Sequence, residues 1–154
     1  MTSVTLLVGS VLGTAFDVAG QMQAALEAEG MNVDRVEQPQ WSDVINAPDR
    51  LLLWCVSTTG RGDFPGNIAP LMQEIMPERC SLEGWRYGIV ALGDSHYPTF
   101  CGAGKAVDER LTQCGAQRLG SRLEIDVSET DYPDEDALAW LPEWQAAVAQ
   151  SIPH

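Results

Sequence analysis

A chain of 154 residues, 45% of them hydrophobic, has the length of one domain and enough apolar side chains to bury a full core. Its formal net charge of −13 comes from 22 acidic against 9 basic residues. That balance argues against nucleic acid as a partner, which needs a cationic footprint. It suits a protein steered electrostatically toward basic patches on partner proteins.

No apolar run approaches the ~20 residues of a membrane span. The opening MTSVTLLVGS carries neither a basic n-region nor a small-residue cleavage site, so no membrane anchor or secretory signal is expected and the chain reads as cytoplasmic. Cys55, Cys80, Cys101 and Cys114 lack C-x-x-C spacing and read as reduced thiols, with no metal site among them. Cys55 and Cys114 sit within apolar patterns and are expected in the core.

In chain order, Val4–Val8 is a nearly continuous apolar run, as in a strand buried on both faces. Ala15–Glu29 carries Val18, Met22, Ala25 and Leu26 at helical spacing, with Gly30 just past its end. Asn32–Glu37 alternates like a half-buried strand. Gln38–Asp49 is a polar connection with one short helical turn around Ser42–Asn46. Leu51–Ser57 is the third strand and Pro65–Met76 a helix, followed by a loop over Pro77–Trp85. Tyr87–Leu92 is the fourth strand, and a helix over Ala103–Cys114 stops at Gly115. A fifth strand runs unbroken through Arg118–Asp126, and the acidic stretch Glu129–Asp136 connects it to a last helix over Ala137–Ser151. Trp54, Trp140 and Trp144 read as core. This alternation predicts one domain over residues 1–154: an α/β, doubly wound, five-stranded parallel sheet in the order 2-1-3-4-5 with helices on both faces.

Three turn-rich loops follow three of these strands: Gly9–Ala15, Ser57–Asn67 and Gly93–Gly104. In such a sheet the carboxyl ends of the strands open at one edge, where ligands bind. Loops rich in Gly, Ser, Thr and Asp converging there suit one flat, phosphate-bearing molecule. In the first, Ser10 and Thr14 offer hydroxyls ahead of a helix whose free N–H groups and dipole favour an anion. It is neither a Walker A loop nor a G-x-G-x-x-G fingerprint, and residues 1 to 34 hold no Lys or Arg to neutralise a phosphate. In the second, Gly60 and Gly62 permit close backbone approach. In the third, Tyr97 is an aromatic platform among small residues.

On these residues the chain resembles the flavodoxin family along nearly its whole length, and within it the short-chain MioC/YqcA type. Ser10-x-x-Gly13-Thr14-Ala15 is similar to the FMN phosphate loop, and Ser57-Thr58-Thr59-Gly60-x-Gly62-Asp63 to the loop flanking the flavin ring. Ala91-Leu92-Gly93-Asp94-Ser95-x-Tyr97-x-x-Phe100-Cys101-Gly102 resembles the second flavin-clasping loop. The resemblance implies FMN as cofactor, with Ser10, Val11, Leu12, Gly13, Thr14 and Ala15 holding its phosphate. It implies Tyr97 stacked on one ring face, backbone amides around Asp94 and Cys101 reaching the pyrimidine end, and Leu92, Gly93 and Phe100 among the cofactor-binding residues. Ser57, Thr58, Thr59, Gly60, Gly62 and Asp63 would flank the ring, the Gly60 carbonyl turning toward flavin N5 on reduction.

Thr59 departs from the family, where a Trp or Tyr is common, so the second ring face lacks its usual partner unless Phe64 covers it. Arg61 is also unusual, standing where acidic residues are common. His96 reads as a solvated loop histidine. The implied activity is a non-catalytic, monomeric electron carrier with an NADPH-dependent ferredoxin/flavodoxin reductase as donor and an unidentified acceptor protein. The alternative is a flavin-dependent reductase of quinone or azo type, for which the chain has no spare segment to build a second substrate pocket. A response-regulator receiver shares the strand order, but Val8-Gly9-Ser10 and Val56-Ser57-Thr58 lack its acids. A binding module without cofactor is the fourth reading.

Overall fold

The computed structural model describes residues 2–10, 13–58, 63–76 and 80–151. The strands are β1 (Ser3–Gly9), β2 (Asn32–Val36), β3 (Leu51–Ser57), β4 (Arg86–Gly93), β5 (Gln117–Arg118) and β6 (Leu123–Asp126). All pairs are parallel, in the order β2-β1-β3-β4, with β5 and β6 both along the outer edge of β4. The helices are α1 (Thr14–Ala28), α2 (Trp41–Ile45), α3 (Ala69–Ile75), α4 (Gly102–Gln113) and α5 (Pro133–Gln150). None of them is long and apolar enough to cross a membrane.

Period-two alternation sorts the central strands between two apolar layers. Leu51, Leu53 and Cys55 of β3 face the layer built with Val18, Met22 and Leu26 of α1 and Trp140, Leu141 and Trp144 of α5. Leu52, Trp54 and Val56 face the opposite layer, with Leu71 and Ile75 of α3 and Val107 and Leu111 of α4. Both layers are buried, so β3 and β4 need side chains that are apolar on both faces, as their sequences supply. Trp144 lies directly on Gly88 of β4, where any Cβ would overlap the indole.

The fifth strand departs from expectation. Tyr87 pairs with Arg118 and Val90 with Leu123, so three steps along β4 match five on its neighbour. The two extra residues loop out within Leu119–Arg122, around Gly120 at φ 71°. The excursion is held from inside. Asp108 of α4 is buried and accepts from Arg118 at 2.6 Å on one side and Arg122 at 2.7 Å on the other. The Tyr87 hydroxyl also donates to Asp108, and burial with that neighbouring carboxylate pushes the phenol far above its ordinary value.

Two helix starts also differ. The last helix begins at Pro133 rather than Ala137, with Pro in its first turn and Asp134, Glu135 and Asp136 against the positive end of its dipole. The expected Pro65–Met76 helix is a 3-10 turn, Gly66–Ile68, followed by α3.

Candidate functional site

Thr14 at the start of α1, Ser57 and Thr58 at the end of β3, and Leu92, Gly93 and Asp94 at the end of β4 line one cleft at the carboxyl edge of the sheet, with Val127 beyond β6. Of the expected ring-flanking and clasping residues, Ser57, Thr58, Leu92, Gly93 and Asp94 are thus brought together with Thr14 at the head of α1, while Asp63, Tyr97, Phe100 and Cys101 are not among the residues lining this cleft. Val11, Leu12, Thr59, Gly60 and Gly62, together with Arg61, lie outside the described residues.

The first loop turns on Gly13, which caps α1 at φ 92°. The Gly13 N–H donates to Ser10 Oγ at 3.1 Å, and the first intrahelical bond runs from Asp17 N–H to the Gly13 carbonyl at 3.0 Å. The leading N–H groups of a helix have no acceptor within it, so those of Thr14 and Ala15 suit an anion at this end. Ser10 differs from expectation in one respect. Its backbone N–H is committed to Asn67 Oδ1 at 3.0 Å, which leaves its hydroxyl as its donor toward a ligand.

The second loop leaves β3 under tight control. Thr58 N–H donates to the Leu92 carbonyl at 3.1 Å, and Thr58 Oγ1 accepts from Ala103 N–H at 3.2 Å, joining the ends of β3 and β4 to the head of α4. Asp63 is exposed. Phe64, the candidate for the second ring face, is half-buried against the α3–α4 layer.

The third loop is a chain of turns, with Tyr97 N–H bonded to the Asp94 carbonyl, Phe100 N–H to Tyr97 and Gly102 N–H to Thr99. Tyr97 stands 52% exposed at its crest. Phe100 lies under the Lys105 ammonium, 5.6 Å from its ring centroid. Cys101 is buried in the left-handed region at φ 54°, its thiol directed at the Ala91 carbonyl. Burial, reinforced by Glu124, pushes that thiol up to about 12, so at neutral pH it packs rather than reacts. At the cleft mouth, Asp94 Oδ1 accepts from His96 N–H at 2.9 Å and pairs with Nδ1 at 2.7 Å. The pairing lowers the carboxyl and raises the imidazole.

A fourth segment, not singled out in the sequence, completes the edge. Val127 N–H donates to the Gly93 carbonyl at 2.8 Å. Asp126 Oδ1 accepts from Ser95 N–H, Ser128 N–H and the Ser128 hydroxyl, the last at 2.6 Å. Those bonds hold its carboxyl far below the ordinary range and tether the third loop to the end of β6. The signal was available, because a parallel fifth strand ends at the same edge as the others.

The doubly wound sheet and its edge cleft define a flavodoxin-like protein. The flavodoxin family profile matches residues 6–140, and the chain belongs to that family. It is 38% identical to Flavodoxin YqcA of Escherichia coli K12 over 144 residues, covering 94% of this chain and 97% of that one. It is 32% identical to Protein MioC of the same strain over 146 residues, with the same coverage of 94% and 97%. A match at 34% identity to the sulfite reductase [NADPH] flavoprotein alpha-component of Neisseria meningitidis spans 98% of this chain but 26% of that protein. Among solved structures, a C101A mutant of flavodoxin from Pseudomonas aeruginosa superposes with a TM-score of 0.86 at 36% identity, covering 95% of this chain and 98% of that one. Family membership implies a flavin cofactor.

Proposed function

We propose that the chain is an FMN-binding electron carrier, a monomeric cytoplasmic domain spanning residues 1–154. It accepts electrons from an NADPH-dependent ferredoxin/flavodoxin reductase and delivers them to an acceptor protein. The observation that carries this reading is one cleft in which an anion-suited helix terminus meets the ends of β3 and β4, at the base of the loop that carries the exposed Tyr97. Ser10, Gly13, Thr14 and Ala15 supply hydroxyl and N–H donors and no acidic side chain, a donor set that fits a terminal phosphate. Thr58, Gly93 and Val127 fix the walls of the cleft, and the exposed Tyr97 of the third loop supplies a face for a flat ring.

FMN, when bound, supplies reversible one- and two-electron transfer. The chain binds it, orients it and sets its field. The carboxylate of Asp94 in the cleft wall, with the exposed Asp63 of the second loop, disfavours added negative charge on a bound flavin and so lowers its reduction potential. His96, when protonated, partly offsets Asp94. The likeness to part of a flavoprotein named for NADPH supports an NADPH-linked donor. The test is a titration of apo-protein with FMN, FAD and riboflavin followed by fluorescence quenching. One FMN per chain, with much weaker FAD and riboflavin, is expected, and equal affinity for riboflavin removes the phosphate cradle. Rapid NADPH oxidation by the flavin-loaded protein without reductase favours the flavin-dependent reductase alternative.

A further inference from the structure

Asn67 lies in the 3-10 turn that ends the second loop, yet its side chain serves the first. Its carboxamide enters the wedge where β2 diverges from β1 after Val36. Asn67 Nδ2 donates to the Val8 carbonyl at 2.6 Å and to the Glu37 carbonyl at 2.7 Å, while Oδ1 accepts from Ser10 N–H at 3.0 Å. Val8 C=O and Ser10 N–H flank Gly9. They are the pair that one residue of a parallel neighbour would engage opposite Gly9. The carboxamide therefore stands in for a strand residue at the point where β2 has left.

The fit around it is close. A Cβ on Gly9 would stand 3.0 Å from the Ile68 side chain, so the turn carrying Asn67 seats directly on the end of β1. From there the order passes on: Asn67 fixes the Ser10 amide, the Ser10 hydroxyl oxygen accepts from Gly13 N–H, and Gly13 caps α1. An asparagine can do this and an aspartate cannot, because two of the three bonds need an N–H donor.

We infer that Asn67 is a positioning residue for the anion cradle, holding Ser10 so that the site prefers a phosphorylated flavin over its dephosphorylated form. The inference rests on the FMN reading above and couples the ring-flanking loop to the phosphate loop through one side chain.

The test titrates apo-protein, Asn67→Ala and Asn67→Asp with FMN and with riboflavin, alongside their thermal unfolding midpoints. Both variants are expected to lower the FMN-to-riboflavin affinity ratio by about tenfold or more, with riboflavin affinity held within about threefold. In a Ser10→Ala background the further effect of Asn67→Ala on that ratio should shrink, since the hydroxyl it places is gone. If Asn67→Ala does not fold, Asn67→Ser is read in its place: its hydroxyl is too short to reach both carbonyls. A wild-type protein with no preference for FMN overturns the FMN reading itself. A wild-type preference that survives in the variants overturns the inference, as does an equal loss of both ligands with a lowered unfolding midpoint, which marks a merely structural role.

Discussion

A methyl group added at Gly93 would stand 2.6 Å from the backbone nitrogen of Cys101, closer than real Cβ contacts come. The third loop leaves β4 at Gly93 and returns eight residues later onto the same spot. Cys101 arrives in the left-handed region, its thiol against the Ala91 carbonyl, and caps α4. Little at this crossing can yield, because the obstructing atom is backbone. Gly93→Ala should therefore push the loop away from the strand and destabilise the apo-protein by about 1–3 kcal/mol. Urea denaturation of wild type and variant checks this, and an unchanged midpoint would mean the crossing has slack.

The crossing was only half legible in the sequence. Gly93 and Cys101 stood out as members of a loop, but nothing in a linear pattern shows that they touch. The strand order and two-layer core were readable, since continuous runs such as Leu51–Val56 and helical spacing such as Val18–Met22 carry their burial in their composition. The break between β5 and β6 was not, because it depends on Asp108, an acidic residue on an amphipathic helix that looks solvated until Arg118 and Arg122 close over it. Asn67 was hidden for a similar reason: it closes a three-glycine loop and looks like turn chemistry, while its partners lie 30, 57 and 59 residues away. Tertiary partners of polar side chains leave no periodic trace.

Tyr97 separates binding from stability. The residue is 52% exposed, so removal of its ring should change apo-protein stability by no more than about 0.5 kcal/mol. If it stacks on the flavin, Tyr97→Ala should weaken FMN binding by roughly 1–3 kcal/mol through lost aromatic contact. Parallel measurement of unfolding and of FMN affinity tests both halves. A variant that keeps wild-type affinity would take Tyr97 out of the site.

His96 and Asp94 make the site edge sensitive to pH. Asp94 draws the imidazole above its ordinary 6.5, and Asp126 and Glu129 act in the same direction. The stability this gives is fully present below pH 6.5 and is lost as pH rises through the raised value. For Asp94 the folded value lies below its ordinary 3.8, so its contribution is present above that and is lost as pH falls. The pair thus stabilises the loop best in mildly acidic solution. Following the His96 ring protons by NMR should give a midpoint above 6.5 that moves down in Asp94→Asn. A midpoint indifferent to that substitution would show that the two groups do not interact in solution.

The last expectation concerns the partner. A chain of net charge −13 meeting a basic reductase should be drawn to it over a distance comparable to the Debye length, about 8–10 Å near physiological salt. The acids placed to act are Asp63, Asp94 and the carboxylates from Glu129 to Asp136, three of which sit in the first turn of α5. These charges are exposed or half-exposed, so their effect is on the rate of encounter more than on the strength of any one contact. Stopped-flow reduction of the flavin-loaded protein by an NADPH-dependent flavodoxin reductase should show a second-order rate that falls steadily as salt rises. Replacing Asp134, Glu135 and Asp136 together by their amides should flatten that dependence if the α5 terminus belongs to the docking face. Should the slope persist unchanged in the triple variant, the steering charges lie elsewhere, nearest the cleft at Asp63 and Asp94. A rate indifferent to salt in the wild-type protein would remove electrostatic steering altogether.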